Sequence, residues 1–321
     1  MNRDRLARWL FPAIGFFLLA LSLHALKQEL NRYNPQDILN SLSSIRDRQL
    51  YLAVGFTILS CLAISCYDLI AFRCFQYKLN IKKILFTTFV TYAVSNTTGF
   101  TLLIGGGIRY RFYSFWGVPA KYIAKITAFG NITFWLGLLT LIGITLIINP
   151  LQLPNPLYLN FSVICPQIGF RCLGFTALLL VICYFYFCYR RKRLNIKGKT
   201  FTFPKPVISL FQIAIFSLDW ALAAAVLYCL LPAYLDRSYL GFFSIYLIAM
   251  GASIISNVPG GLGVFETAII FLLPITIPVP DTLSSLLVYR GIRFFLPLTI
   301  ALVSICWFEI KRRISTMNNQ Q

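Results

Sequence analysis

Ser256-Asn257-Val258-Pro259-Gly260-Gly261-Leu262-Gly263-Val264-Phe265-Glu266 stands inside a stretch, 239–277, that is otherwise apolar enough for a membrane. Proline lacks an N–H and clashes with the preceding turn, and glycine lowers helix stability, so no helix runs unbroken through this segment. A new helix can restart at Val264, and the break leaves backbone N–H groups unpaired at a depth where lipid offers no partner. Those N–H groups and the positive end of the new helix point to an anion site; a break that serves only helix packing is the alternative. Glu266 lies one turn into the new helix, where the dipole favours a carboxylate. It reads as a ligand for a cationic group, as a cap for neighbouring N–H groups, or as one half of a buried ion pair with Arg290 or Arg293.

The surroundings of this break are those of a membrane protein. Of 321 residues, 58% are hydrophobic and 12% charged, about half the charged share of a soluble domain, which excludes a water-soluble globule. Apolar segments fall at 10–26, 50–72, 84–100, 123–148, 169–189, 207–231, 239–255, 264–277 and 283–308. The expected fold class is an all-α integral membrane protein of about 7–8 transmembrane helices plus two re-entrant broken-helix hairpins. One transmembrane domain covers 1–321, with approximate halves 1–150 and 170–313. Residues 10–26 follow the basic start Arg3, Arg5 and Arg8, and no small-residue cleavage site follows Leu26, so they read as a retained first helix rather than a signal peptide. Ile38, Leu39, Leu42 and Ile45 recur at helical spacing, which predicts an amphipathic helix on the membrane surface or a solvated loop helix.

The chain carries 29 Lys+Arg against 10 Asp+Glu, a formal net charge of +19. In a membrane protein such an excess collects in cytoplasmic loops, and this is preferred to a nucleic-acid face. Arg190–Lys205, Lys311–Arg313, the basic N-terminus and Arg73–Lys83 are accordingly cytoplasmic, which puts both termini inside a plasma membrane. The chain is then cytoplasmic at Lys83 and again at Lys121, and external at Asp236 and again at Asp281. Both intervening segments must enter and return, from opposite faces.

The first of these carries its own breakers, Gly99 and Gly105-Gly106-Gly107, and each tip opens with a Ser-Asn pair, Ser95-Asn96 and Ser256-Asn257. A span with one buried acid precedes each hairpin, Asp68 in the first half and Asp219 in the second. Paired, interrupted segments of opposite orientation mark an inverted-repeat transporter with a site near the midplane; chance likeness of short strings is the alternative. Ionisable groups within spans are costly and default to functional candidates. Here they are Asp68, Asp219, Glu266, Arg109, Arg111, Arg290 and Arg293, the last two opening the final span at the external surface. Arginines suit a bidentate grasp of phosphate, or they snorkel to the interface. The candidate substrate site joins these seven to Ser95, Asn96, Ser256, Asn257, Pro259, Gly260, Gly261 and Gly263.

There is no phosphate-binding G-x-x-x-x-G-K-[ST] loop and no H-E-x-x-H pair, and no acid–base–nucleophile set stands out. No cofactor, metal or catalytic residue is expected. Most of the nine cysteines sit in apolar runs and read as small hydrophobes, while Cys165 and Cys172 fall in a loop where a disulfide is conceivable.

The segment from Ser256 to Glu266 resembles the signature of the transmembrane region of the lysylphosphatidylglycerol synthase/flippase family, also called the multiple peptide resistance factor family. Ser95-Asn96-Thr97-Thr98-Gly99-Phe100 with Gly105-Gly106-Gly107-Ile108-Arg109-Tyr110-Arg111 resembles its first conserved region, and Tyr289-Arg290 with Pro297 its last. The resemblance implies a region that moves aminoacylated phosphatidylglycerol between leaflets, beside a C-terminal domain that attaches the amino acid from aminoacyl-tRNA. This sequence stops 13 residues after Phe308, so lysyltransferase activity is not expected of it; relatives without that domain include some linked to hopanoid or glycolipid metabolism. The leading expectation is a translocase for a phospholipid or aminoacylated phospholipid. Glu266 and Asp219 would meet a cationic headgroup, and Arg109, Arg111 and Arg290 the phosphate. The alternative is a membrane-embedded enzyme or accessory subunit of lipid or glycolipid synthesis. Expected partners are membrane phospholipids, with a separate lipid-modifying enzyme and homo-oligomers also conceivable.

Overall fold

A computed structural model describes residues 35–98, 101–148, 166–190, 193–196, 199–232, 238–256, 258–274 and 277–318. The expected first helix at 10–26, together with Gly99, Cys165 and Asn257, lies outside the described residues; Cys172 is exposed and free.

The protein is an all-α, multi-pass integral membrane protein with one small β-hairpin. In chain order the elements are α1 (Pro35–Ser44), α2 (Asp47–Cys74), α3 (Ile81–Thr98), α4 (Thr101–Phe115), α5 (Ala120–Ile148), α6 (Pro166–Tyr189), β1 (Arg193–Ile196) and β2 (Lys199–Thr202). There follow α7 (Pro206–Leu230), α8 (Tyr239–Ser256), a 3-10 turn (Pro259–Gly261), α9 (Val264–Leu272), α10 (Val279–Arg290), a π turn (Gly291–Phe295) and α11 (Leu296–Asn318). Among the described residues six helical stretches are long and apolar enough to cross a membrane: α2, α5, most of α6, α7, α8 and the run 279–311. The strands form an antiparallel pair in which Arg193 faces Thr202 and Ile196 faces Lys199, inside the basic connection between α6 and α7.

An apolar solvent explains the surface. Leu59, Leu62, Leu179, Leu180, Ile182 and Phe211 are all more than half exposed, as expected of side chains that meet lipid rather than water. Inside the helices, many hydroxyls return to their own backbone: Thr87, Thr88, Thr97, Thr133 and Thr140 each donate to the carbonyl four residues earlier, so these donors are satisfied where water is absent.

Helices α2 and α7 form the central pair and run antiparallel. Gln49, at the start of α2, donates to Cys229 O at 2.8 Å and Leu231 O at 3.3 Å at the end of α7, while Ser60 meets Asp219 further along. The hairpin that follows α2 and the hairpin that follows α7 therefore begin at opposite ends of the bundle. The order α2, α3/α4, α5 is matched by α7, α8/α9, α10–α11. Phe216, Trp220, Leu227, Phe242, Tyr246, Phe265 and Tyr289 lie in the largest core cluster, which joins α7, the second hairpin and α10. A second cluster, Val90, Val94, Ile108, Phe112, Leu298 and Ile305, seats α11 against the first hairpin. Helix α1 docks on α10 through Ser41 Oγ, which donates to Asp281 Oδ1 at 2.7 Å; Leu42 and Ile45 are half-buried and Leu39 is exposed.

Two expectations change. Gly105, Gly106 and Gly107 do not break the first hairpin, because they lie inside α4. A Cβ on Gly105 would stand 3.1 Å from Ser95 Oγ and 3.3 Å from Thr91 Cγ2, so glycine there lets α3 and α4 lie close. Arg290 and Arg293 do not open the last span. The helix begins at Val279, eleven residues before Arg290, and both arginines are buried.

Candidate functional site

Among the described residues three acids lie buried within the helices, and each faces an arginine. Asp68 on α2 is gripped by Arg109 on α4: Nε donates to Oδ2 at 2.9 Å and Nη2 to Oδ1 at 2.9 Å. Tyr113 stands one turn beyond Arg109 on the same face and donates its hydroxyl to Oδ2 at 2.7 Å. The Tyr92 ring lies 5.2 Å from the guanidinium, within cation–π range. Two parallel N–H···O bonds plus a phenol satisfy this carboxylate well, which is what burial of a charge demands.

Asp219 on α7 takes the hydroxyl of Ser60, the Tyr67 hydroxyl at 3.5 Å and Arg293 Nη2 at 3.3 Å. Ser60 and Tyr67 are seven residues apart on α2, hence on one face. Arg293 comes from the π turn, and π turns are frequent at functional sites. Close by, the hydroxyls of Tyr246 and Tyr289 share a hydrogen bond of 2.8 Å.

Glu266 sits at the helix break. Its Oε2 accepts from Gly263 N at 2.9 Å, and its Oε1 accepts from Arg290 Nε. Arg290 also donates Nη1 to Gly260 O at 3.0 Å and Nη2 to Gly261 O at 3.4 Å. Gly260, Gly261 and Gly263 all hold positive φ, at 63°, 61° and 78°, a conformation that costs glycine little and other residues more. The break thus turns carbonyl oxygens toward a cation. Gly261 N meets Val258 O at 2.8 Å, so this N–H and that of Gly263 are already engaged, unlike the open anion cradle expected of them.

The tips of the two hairpins touch. A Cβ on Gly260 would lie 2.9 Å from Thr97 O, so the second break is seated on the end of α3. Ser95 is fully buried and Asn96 half-buried, whereas Ser256 is exposed and donates to Ser253 O at 2.8 Å. Pro259 opens the 3-10 turn. Arg111 is separate from this centre: its Nη2 meets Glu309 Oε1 at 2.6 Å, joining α4 to α11 near the cytoplasmic end expected of that helix.

Over residues 9–301 the chain matches the family described as the lysylphosphatidylglycerol synthase TM region. The chain belongs to that family. Its similarity to individual members runs the length of the fold. It is 41% identical over 299 residues to the Synechocystis sp. protein slr0712, described as uncharacterized, covering 93% of this chain and 91% of that one. It is 31% identical over 272 residues to the inner membrane protein YbhN of Escherichia coli, with 84% and 82% covered. It is also 25% identical over 298 residues to phosphatidylglycerol lysyltransferases of Staphylococcus aureus, where 91% of this chain spans 33% of theirs.

Within this family fold the structure joins Asp68 to Arg109, Asp219 to Arg293, and Glu266 to Arg290 and the glycine break. Reading the sequence alone passed over Ser60, Tyr67, Tyr92, Tyr113, Tyr246 and Glu309. Ser60 and Tyr67 carry a usable signal, since both fall on one face of a span whose partner helix holds a lone acid. Tyr92 and Tyr113 carry none, because a tyrosine in an apolar run looks like core.

Proposed function

We propose that this protein is a lipid translocase whose substrate headgroup passes the point where the two hairpin tips meet. The observation that carries the reading is the seating of Gly260 on Thr97 O with the buried Glu266–Arg290 pair at the same break, in a bundle that also buries the Asp68–Arg109 and Asp219–Arg293 pairs. Buried ion pairs add little net stability, so three of them inside one membrane bundle, one at the glycine break, are better matched to a ligand than to folding. A phospholipid headgroup presents a phosphate, and its oxygens can replace a carboxylate as the acceptor from Arg109, Arg290 or Arg293. Relatives named phosphatidylglycerol lysyltransferase support a phosphatidylglycerol-like lipid, with or without an aminoacyl group whose ammonium would meet Asp219 or Glu266. We read the two halves as an inverted repeat with both termini cytoplasmic.

The experiment is leaflet exchange. Purified protein in liposomes is expected to speed the exchange of labelled phosphatidylglycerol, and Arg290→Ala is expected to slow it at least tenfold, about 1.4 kcal/mol in the barrier. Equal rates with and without protein would overturn the translocase reading. Turnover of the lipid with an activated donor would then favour the membrane-embedded enzyme, in keeping with the enzyme names of the Staphylococcus relatives.

A further inference from the structure

The pair at Asp219 is built unlike its neighbours. Arg109 holds Asp68 through two nitrogens, and Arg290 is tied to Glu266 and to two carbonyls at once. Arg293 reaches Asp219 by one nitrogen at 3.3 Å, and the side chains of this pair are 8% and 9% exposed against 5% and 1% for Arg109 and Asp68. The remaining contacts of the Asp219 carboxylate are hydroxyls, Ser60 and Tyr67. A hydroxyl donates to a carboxylate and accepts from a carboxylic acid equally well, so this carboxylate can gain a proton without orphaning its neighbours. Thr57, one turn from Ser60 on α2, is 2% exposed and its hydroxyl has no hydrogen-bond partner among the described residues. Thr57, Ser60 and Tyr67 thus form a buried stripe of hydroxyls along the helix that faces Asp219.

The titratable and charged groups around Asp219 are Cys61 and Tyr67 from α2, Tyr92 from α3, Tyr246 from α8, Tyr289 from α10 and Arg293 from the π turn. Phenols and a thiol are neutral groups near pH 7. The charge balance of the cluster therefore rests on Asp219 and Arg293.

We infer that Asp219 is the proton-coupling site of transport: it takes up a proton when an anionic headgroup engages Arg293 and releases it when the headgroup leaves. An O–H bond forms on the Asp219 carboxyl with a proton from the aqueous phase, the contact to Arg293 breaks, and the guanidinium turns its N–H groups to the phosphate. The site is neutral before the exchange (carboxylate with guanidinium) and after it (carboxylic acid, guanidinium with phosphate). An anion arriving alone would leave a carboxylate buried and unpaired beside a second negative charge, the arrangement a low-dielectric site disfavours most. This inference rests on the translocase reading for its role in transport, and its own test is a binding measurement.

Short-chain phosphatidylglycerol is titrated into the full-length protein in nanodiscs by calorimetry near neutral pH, in two buffers of different ionisation enthalpy. Wild-type protein is expected to take up about one proton per lipid, and its affinity to weaken about tenfold per pH unit as pH rises. Asp219→Asn is expected to bind with neither uptake nor pH dependence. Binding without proton uptake by wild-type protein overturns the inference, and the wild-type count decides alone if D219N does not fold. Uptake that persists in folded D219N also overturns it, since the proton then resides elsewhere. Uptake lost in D219N while leaflet exchange is absent from wild-type liposomes would uphold the protonation site and remove the translocase reading instead. No binding of the lipid by wild-type protein removes both.

Discussion

Glu266 shows how much depends on single atoms here. One oxygen caps the helix that restarts after the break, and the other balances Arg290, which in turn satisfies two carbonyls of that break. Glutamine keeps an acceptor for Gly263 N but no charge for Arg290, so Glu266→Gln leaves a buried guanidinium uncompensated at ~3–5 kcal/mol. The expected outcome is a large fall in yield and melting temperature. In E266Q with Arg290→Met the stranded charge is gone, so the double variant should be more stable than E266Q alone; a double variant as unstable as the two single losses combined would show that the ion pair is not the source. The acids and arginines are legible in the sequence because a charge inside a span is expensive. Their pairing is not, because Asp68 and Arg109 lie 41 residues apart and Asp219 and Arg293 lie 74 apart, and only the packing of helices chooses between them. The same holds for the N–H groups of the break: their exposure follows from helix chemistry, but their capture by Glu266 and Val258 O is a matter of local folding.

At the scale of elements, the interruptions are legible where proline and glycine coincide and misleading where glycine stands alone. Pro259-Gly260-Gly261-Leu262-Gly263 breaks the chain because its three glycines adopt positive φ, whereas Gly105-Gly106-Gly107 stays helical and serves close packing of α3 on α4. Two alanine variants separate conformation from contact. A Cβ on Gly263 meets nothing within 4 Å, so Gly263→Ala suffers only from its φ of 78°, on the order of 1 kcal/mol. A Cβ on Gly260 has the same kind of φ and also presses within 2.9 Å of Thr97 O. Gly260→Ala should therefore lower the melting temperature clearly more than Gly263→Ala, and should slow leaflet exchange by parting the two tips. Equal effects of the two substitutions would mean that the tips do not bear on each other.

The whole molecule follows from the antiparallel pairing of α2 and α7. Since the end of α7 lies beside the start of α2, the hairpins begin at opposite ends and their tips converge. Helix α8 has 18 residues, about 27 Å at 1.5 Å per residue and so close to the hydrocarbon thickness; length alone would let it cross. In the re-entrant reading proposed for it, the break after Ser256 and the seat of Gly260 on Thr97 O would turn it back. The exposed residues Asn80, just ahead of α3, and Ser238, just ahead of α8, mark the two hairpin bases, and they are better reporters of sidedness than the buried Ser95. With the exposed Cys172, Cys183 and Cys306 replaced along with the other thiols, Asn80→Cys should react with an impermeant thiol reagent only from the cytoplasmic side. Ser238→Cys should react only from the outside. The direction follows from charge, since Lys78, Lys82 and Lys83 surround Asn80 while only Arg237 adjoins Ser238. Reaction of both from one face would require an extra crossing between them and would separate the two tips from a common midplane, removing the geometric basis for a shared lipid path.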